Sequence, residues 1–175
     1  MHEANRSSVN GLLRSIHAYQ RNKARPGVLA LLMRKVARFQ HLVLSVLTGS
    51  DVDVGVRFGR NLRLPHPTGV VIHRDVVIGD DCMVMQQVTL GQLAADGVPV
   101  IGSRVYIGSG AKVLGPVQIG DGARIGANAV VLHDVPAGAT AVGVPAREVS
   151  GSRAIGSEQD RAPQSADDNG AQPKP

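Results

Sequence analysis

A mostly β, single-stranded parallel β-helix with an N-terminal helical arm is the fold predicted for this chain, on three observations. Aliphatic residues return every six positions through its middle, and glycine follows most of them. Aromatic residues are 2% of the 175 residues, although 43% are hydrophobic. Rings fill irregular cores. A chain whose rings are Tyr19, Phe39, Phe58 and Tyr106 therefore needs a narrow, regular interior.

The arm, residues 1–50, reads as two helices, Asn10 to Gln20 and Val28 to Leu47. Arg25-Pro26-Gly27 separates them, a breaker that also suits a helix start. In the second run Leu31, Leu32, Val36, Phe39, Leu42, Leu44 and Val46 form a broad apolar stripe, with Arg34, Lys35 and Arg38 mostly off it. This stripe is expected to pack on the base of the β-helix, leaving the basic face solvated. The arm carries eight basic residues and one acid, a net +7, whereas residues 51–150 and 151–175 each carry −1. The high isoelectric point thus belongs to the arm, which weakens a reading as a nucleic-acid binder. Contact of the basic arm with an anionic membrane surface is a further partner class that the charge allows.

The body, residues 51–149, holds the repeat. The positions are Val52, Phe58, Leu64, Ile72, Ile78, Val84, Leu90, Ile101, Ile107, Val113, Ile119, Ile125 and Val131, spaced by six except for eight residues after Leu64 and eleven after Leu90. Small or aliphatic residues recur four places on, as at Val105, Ala111, Val117, Ala123 and Ala129. Ordinary strands have a period of two without a regular corner. A six-residue period, an inward aliphatic followed by a turn-permissive glycine, makes each hexad one face of a triangular prism. Three hexads make a coil, and thirteen give somewhat more than four coils. Phe58 is the one ring in an aliphatic's place, near the end where space can be shared with the arm. Residues 150–175, rich in Gly, Pro, Ser, Asp and Gln, are expected to be disordered.

Hexads three apart share a face, so Leu64, Val84, Ile107 and Ile125 stack. Their third residues, His66, Gln86, Ser109 and Ala127, should line one outer column. His66 lies beside the first irregularity, Pro65-His66-Pro67-Thr68-Gly69, and the second is a loop near Gln92 to Pro99. A histidine can take a proton from an attacking hydroxyl near neutral pH. It needs an orienting partner. Asp51 is the candidate, counted one coil below His66 on the same column, and Asp53 is the rival. Gln86, stacked over His66, is the candidate acceptor-binding residue. His73, His133, His2, His17 and His41 read as surface residues. Cys82 reads as a small packing group. One cysteine suits a reducing compartment, and no apolar run is long enough to span a bilayer, so the expected location is the cytoplasm. No metal-ligand spacing is present.

The stretches Leu64-Pro-His-Pro-Thr-Gly-Val-Val-Ile72, Ile78-Gly-Asp-Asp, Gln86-Gln-Val-Thr-Leu-Gly91, Ile107-Gly-Ser-Gly-Ala-Lys-Val-Leu-Gly115 and Gly143-Val-Pro-Ala-Arg147 resemble the serine acetyltransferases, hexapeptide-repeat acyltransferases with a left-handed β-helix. The resemblance covers about a hundred residues. It implies acetyl transfer from acetyl-CoA to a hydroxyl without a metal, with His66 as general base and Asp51 orienting it. It also implies a homotrimer whose active sites lie between subunits. The cofactor groove would be built from Gly91, Ser109, Gly110 and Ala127, with Arg147 near the cofactor phosphates.

The chain departs from that family at three places. Pro65 stands where the family has an aspartate before the histidine. Gly97-Val98-Pro99 replaces an Arg-His-Pro in a loop about three residues longer. The N-terminal helical domain is reduced to about 50 residues. These departures remove groups that would grip serine. The expected function is therefore O-acetylation of a sugar or exopolysaccharide precursor, with serine O-acetylation for cysteine synthesis and a non-catalytic hexapeptide scaffold as the alternatives.

Overall fold

The computed structural model describes residues 2–23, 25–94 and 97–149, with side chains described from residue 11 onward. The body is a single-stranded left-handed parallel β-helix. One face stacks β1 (Asp51–Val52), β3 (Val71–Ile72), β6 (Thr89–Gly91), β9 (Lys112–Leu114) and β12 (Val130–Val131). The second stacks β2 (Arg57–Phe58), β4 (Val77–Ile78), β7 (Val100–Ile101) and β10 (Gln118–Ile119). The third stacks β5 (Met83–Val84), β8 (Tyr106–Ile107), β11 (Arg124–Ile125) and β13 (Thr140–Val142), and is closed by the antiparallel β14 (Arg147–Glu148).

Every predicted hexad aliphatic points inward, and all are buried except Phe58, which is half-buried. The register pairs them in sequence-threes, such as Ile72 with Leu90, Leu90 with Val113, and Ile107 with Ile125. The residues four places on, from Val56 to Ala129, are buried as well, except Thr68 and Ala94 at the two irregular steps. Each regular hexad thus contributes two inward side chains, and their small size keeps the prism narrow. The stack continues past Val131 through Val135, bridged to Ile119, and Ala141, paired with Ile125. Backbone hydrogen bonds run coil to coil, for example Val71 N to Val88 O at 2.9 Å and Gly108 N to Ile125 O at 2.8 Å.

The glycines have a different cause from the one expected. The glycine after each aliphatic does not make the corner. The corner falls two residues later, where Asn61, Asp81, Gln87, Arg104, Gly110, Gly122 and Asn128 take positive φ. The earlier glycine, Gly91 excepted, is required by close approach. A Cβ on Gly79 would lie 2.6 Å from the carbonyl carbon of Gly102, and one on Gly108 would lie 2.7 Å from the Ala127 nitrogen.

Two helices form the arm, α1 (His2–Lys23) and α2 (Val28–Thr48), the latter closed by Gly49 at φ 63°. The base of the prism is covered by α1, whose Leu12, Leu13 and Ile16 join the core of Val52 and Val56. Gln20 Nε2 donates to the carbonyls of Val54 and Val56 at 3.0 and 2.8 Å, satisfying part of the open first coil. Phe58 meets the ring of His17, with centroids 4.5 Å apart, so its space is indeed shared with the arm.

The apolar stripe of α2 does not pack on the base, contrary to the expectation. The buried residues of α2 are Ala30, Ala37 and Thr48, while Leu31, Leu32, Val36, Phe39, Leu42 and Val46 are exposed. The base is already occupied by α1, and α2 lies against α1 through its small residues and the half-buried Leu44. His41 is another departure from expectation. It is half-buried, with Nδ1 3.1 Å from Ser15 Oγ and Nε2 3.4 Å from Ser45 Oγ. Ser15 donates to Leu12 O at 2.6 Å, so the histidine must supply the proton of the Ser15 contact. The tail from residue 150 lies outside the described residues.

Candidate active site

The third face positions the predicted column. Arg63 is bridged to Met83, Met83 pairs with Tyr106, and Tyr106 with Arg124. Three residues beyond each of these strand positions the chain turns its corner. The ladder continues there from Gln87 N to Thr68 O (3.0 Å), Gly110 N to Gln86 O (2.9 Å) and Asn128 N to Ser109 O (2.8 Å). Gln86, Ser109 and Ala127 therefore follow one another up a single corner, whereas the two-residue excess after Leu64 sets Thr68, not His66, in register beneath them, and His66 lies in the loop just before that level.

His66 is exposed in a segment that cannot wander. Pro67 is buried, Val70 N donates to Pro67 O at 3.0 Å, and Gly69 N donates to Gly49 O at 2.6 Å. The second bond ties the histidine loop to the end of α2. Above it, the Gln86 side chain is half-buried, and its Oε1 is buried with no hydrogen-bond partner among the described residues. An unpaired buried amide oxygen costs about 1–3 kcal/mol, and such a group in a candidate site asks for a ligand, a water or a second chain. Higher up, Gly110 has φ +74°, and a Cβ there would collide with the Asn128 side chain.

Asp51 is placed differently from the count. It lies on β1 under Val71, with its amide donating to Val70 O at 2.8 Å. It is one coil below His66, but on the adjoining first face, near the corner the two faces share. The hexad that would have carried it on the same column, starting at Val46, does not exist because those residues belong to α2. Asp53, the rival, accepts from Gly55 N at 2.7 Å and is thereby engaged in its own turn.

The other expected residues are divided between faces. Ser109, Gly110 and Ala127 share the Gln86 corner. Gly91 ends β6 on the first face, where the second irregular loop leaves, and its carbonyl accepts from Gly115 N at 3.0 Å. Arg147 is exposed on β14, at the far end of the third face. Five strand spacings separate the histidine end of that face from Arg147, about 24 Å at some 4.8 Å each.

Sequence reasoning missed two features of this surface. Lys112 Nζ donates to Gln87 O at 2.7 Å and Gly110 O at 3.1 Å, bringing a cation beside Gly110. Arg124 lies over the ring of Tyr106 at 5.0 Å from its centroid, a cation–π contact on the outer side of the same face. Outward positions carry no periodic constraint, so nothing in the hexad pattern marks them. His73 and Cys82 have structural roles. His73 Nδ1 accepts from Asp75 N at 3.3 Å. Cys82 is buried, with its thiol 3.1 Å from Gly102 O, and burial pushes its pKa up, away from nucleophilic use. Among the described residues no three His, Cys, Asp or Glu side chains cluster as a metal site, and no helix is long and apolar enough to cross a membrane.

Comparison with known proteins adds to this geometry. The family model "Bacterial transferase hexapeptide (six repeats)" matches residues 99–133. A serine acetyltransferase of Helicobacter pylori is 40% identical over 148 residues, which cover 83% of this chain and 82% of that one. One from Mycobacterium tuberculosis is 44% identical over 126 residues, covering 70% of this chain and 53% of the relative. Among solved structures, a serine acetyltransferase in complex with CoA is matched with a TM-score of 0.67 at 34% identity, over 81% of this chain and 55% of that one. A soybean serine acetyltransferase complexed with serine is matched with a TM-score of 0.62 at 41% identity, over 67% and 49% respectively. The chain thus spans about half the length of these solved relatives.

Proposed function

The chain belongs to the serine acetyltransferase family, and from that premise we propose that it transfers the acetyl group of acetyl-CoA to the hydroxyl of L-serine. The single observation that supports the reading is the corner of the third face, where Gln86, Ser109 and Ala127 stack above the loop that carries His66, on a face that ends at Arg147. In this mechanism His66 takes the proton from the serine hydroxyl as its oxygen attacks the thioester carbonyl. Backbone N–H groups near Ser109 and Gly110 stabilise the tetrahedral oxyanion. Collapse expels the CoA thiolate, which recovers the proton from the imidazolium. Asp51, one coil below, orients the imidazole. Gly91, Ser109, Gly110 and Ala127 contact acetyl-CoA, Arg147 its phosphates, and Gln86 the acceptor.

Serine replaces the sugar hydroxyl as the favoured acceptor. The sugar reading rested on the short arm and on Pro65 and Gly97-Val98-Pro99. The Helicobacter relative is matched over 82% of its length by 148 residues, so a short chain also carries the serine acetyltransferase name. The orphaned Gln86 Oε1 supports a site completed by a second subunit, in keeping with a homotrimer. The lone, buried cysteine supports a cytoplasmic location.

The test is thiol release from acetyl-CoA across serine, amino sugars and nucleotide sugars. Serine should give turnover well above the others, and His66→Ala should lower it about 10²–10⁴-fold. Turnover of a sugar with none of serine would restore the sugar reading, and an active His66→Ala would remove His66 from the chemistry.

A further inference from the structure

The helix α2 presents an apolar face that nothing among the described residues covers. Val28 is 85% exposed, Val46 75% and Phe39 68%. At 100° per residue, Val28, Leu29, Leu32, Val36, Phe39 and Val46 fall within a sector of about 100°. A soluble monomer rarely leaves so continuous an apolar strip in water.

The flanks of this strip are cationic. On one side, Arg14 and Arg21 of α1 line a groove of about 920 Å³ together with Phe39 and Val43. On the other, Lys35 and Arg38 line a groove of about 480 Å³ with Phe39 and Leu42. Phe39 is the ridge between the two. No acidic residue occurs anywhere in α2, and the arm as a whole is +7 against −1 for the prism. Asp51 and Asp53 lie where the second groove meets the prism, so the acids sit at its inner end.

We propose that this face of α2 docks the protein on the surface of an anionic lipid bilayer. The apolar strip enters the boundary between headgroups and acyl chains, and Arg14, Arg21, Lys35 and Arg38 meet the anionic headgroups. Charge selects this occupant over a second copy of the chain. Pairing the face with itself would bring two +7 arms together, whereas an anionic leaflet attracts the arm first and orients the molecule by its charge asymmetry. The helix lies on the membrane and does not cross it, in keeping with its three charges and its apolar length. The proposal does not rest on the acyl-transfer reading.

The test is co-sedimentation of the whole protein with vesicles of phosphatidylcholine alone, or of phosphatidylcholine with phosphatidylglycerol, at low and high salt. Each basic residue at an anionic surface multiplies partitioning about fivefold. Partitioning into the anionic vesicles should therefore exceed that into neutral ones at least about tenfold at low salt, and fall with added salt. Two double variants separate the contributions: Phe39→Ser with Val46→Ser, and Lys35→Glu with Arg38→Glu. Each should lower partitioning at least about tenfold while leaving the circular dichroism melt and thiol release in free solution unchanged. No pelleting with anionic vesicles at low salt overturns the proposal, as does pelleting that neither variant reduces. A lower oligomer mass by light scattering in the serine variant also overturns it, because the face would then belong to a second copy.

Discussion

Two glycine-to-alanine substitutions separate the two physical reasons for glycine in this prism. At Gly79 a Cβ would stand 2.6 Å from the Gly102 carbonyl carbon, and 2.7 Å from both its oxygen and the Ser103 nitrogen. Ordinary contact begins near 3.4 Å, so the coil above must retreat by about 0.8 Å. That displacement lengthens the bond from Gly79 N to Ile101 O, now 2.9 Å. Overpacking costs about 1–3 kcal/mol, and a weakened coil-to-coil hydrogen bond adds about 1 kcal/mol. The expected loss is about 3 kcal/mol. At Gly122, φ is +69° and nothing lies within 4 Å of the added Cβ. The left-handed conformation costs an alanine about 1–2 kcal/mol, offset by about 0.4–1 kcal/mol from its stiffer unfolded chain. The net is about 1 kcal/mol. For a chain of this length each kcal/mol moves Tm about 2–4 °C, so Gly79→Ala should lower Tm by about 10 °C and Gly122→Ala by about 3 °C. Thermal melts at one fixed protein concentration measure both, since assembly adds its own dependence. A Gly122→Ala loss equal to or larger than that of Gly79→Ala would refute the close-approach argument.

Three further outcomes follow from single side chains. Burial holds the His41 pKa below the ordinary histidine value, with only partial compensation from Val52, Asp53 and Asp51. The unfolded chain then takes up the proton more readily, so stability is full above about pH 6.5 and is lost as pH falls through the lowered folded value. Melts across that range should show the decline, and His41→Gln should flatten it; an unchanged slope would mean another group is responsible. Cys82, buried and raised in pKa, should react with a thiol reagent in the denatured protein and scarcely at all in the folded one, with absorbance of the released chromophore as the readout. Arg147→Ala should raise the KM for acetyl-CoA about tenfold, the worth of one lost charge-assisted contact. Its kcat should stay near the parent value, and a kcat loss without a KM change would take Arg147 away from the cofactor.

The prism was legible because one side chain decides its packing once every six residues, and a mis-stepped aliphatic would leave the core. Thirteen positions in phase cannot survive that constraint by accident, and it placed Gln86, Ser109 and Ala127 on one corner, while the excess beside His66 escaped the count. The constraint acts only on inward atoms. The left-handed corners could be filled by Asn61, Asp81, Gln87, Arg104 or Asn128 as readily as by Gly110 or Gly122, so residue type did not point to them. Most of the glycines that were conspicuous answer to the coil above, a contact that no spacing within one hexad reveals. Val135 and Ala141 were missed because the step after Val131 shortens to four, although the stack goes on.

The arm was less legible, and the reason bears on the site. A helix stripe predicts which residues leave water only when one partner surface competes for it. Here two helices compete for one small triangular base. The base goes to α1, whose Leu12, Leu13 and Ile16 fit it, and α2 turns its larger residues outward. The second helix also runs to Thr48, which removes the hexad that the count had placed below His66. Asp51 consequently begins the first face instead of ending the third, and Gly49 at the helix terminus accepts the bond that pins the histidine loop. The same helix end therefore sets the position of His66 and of its proposed orienting carboxylate. A change in how α2 terminates, such as Gly49→Val at φ +63°, disturbs both residues at once even though neither belongs to the arm.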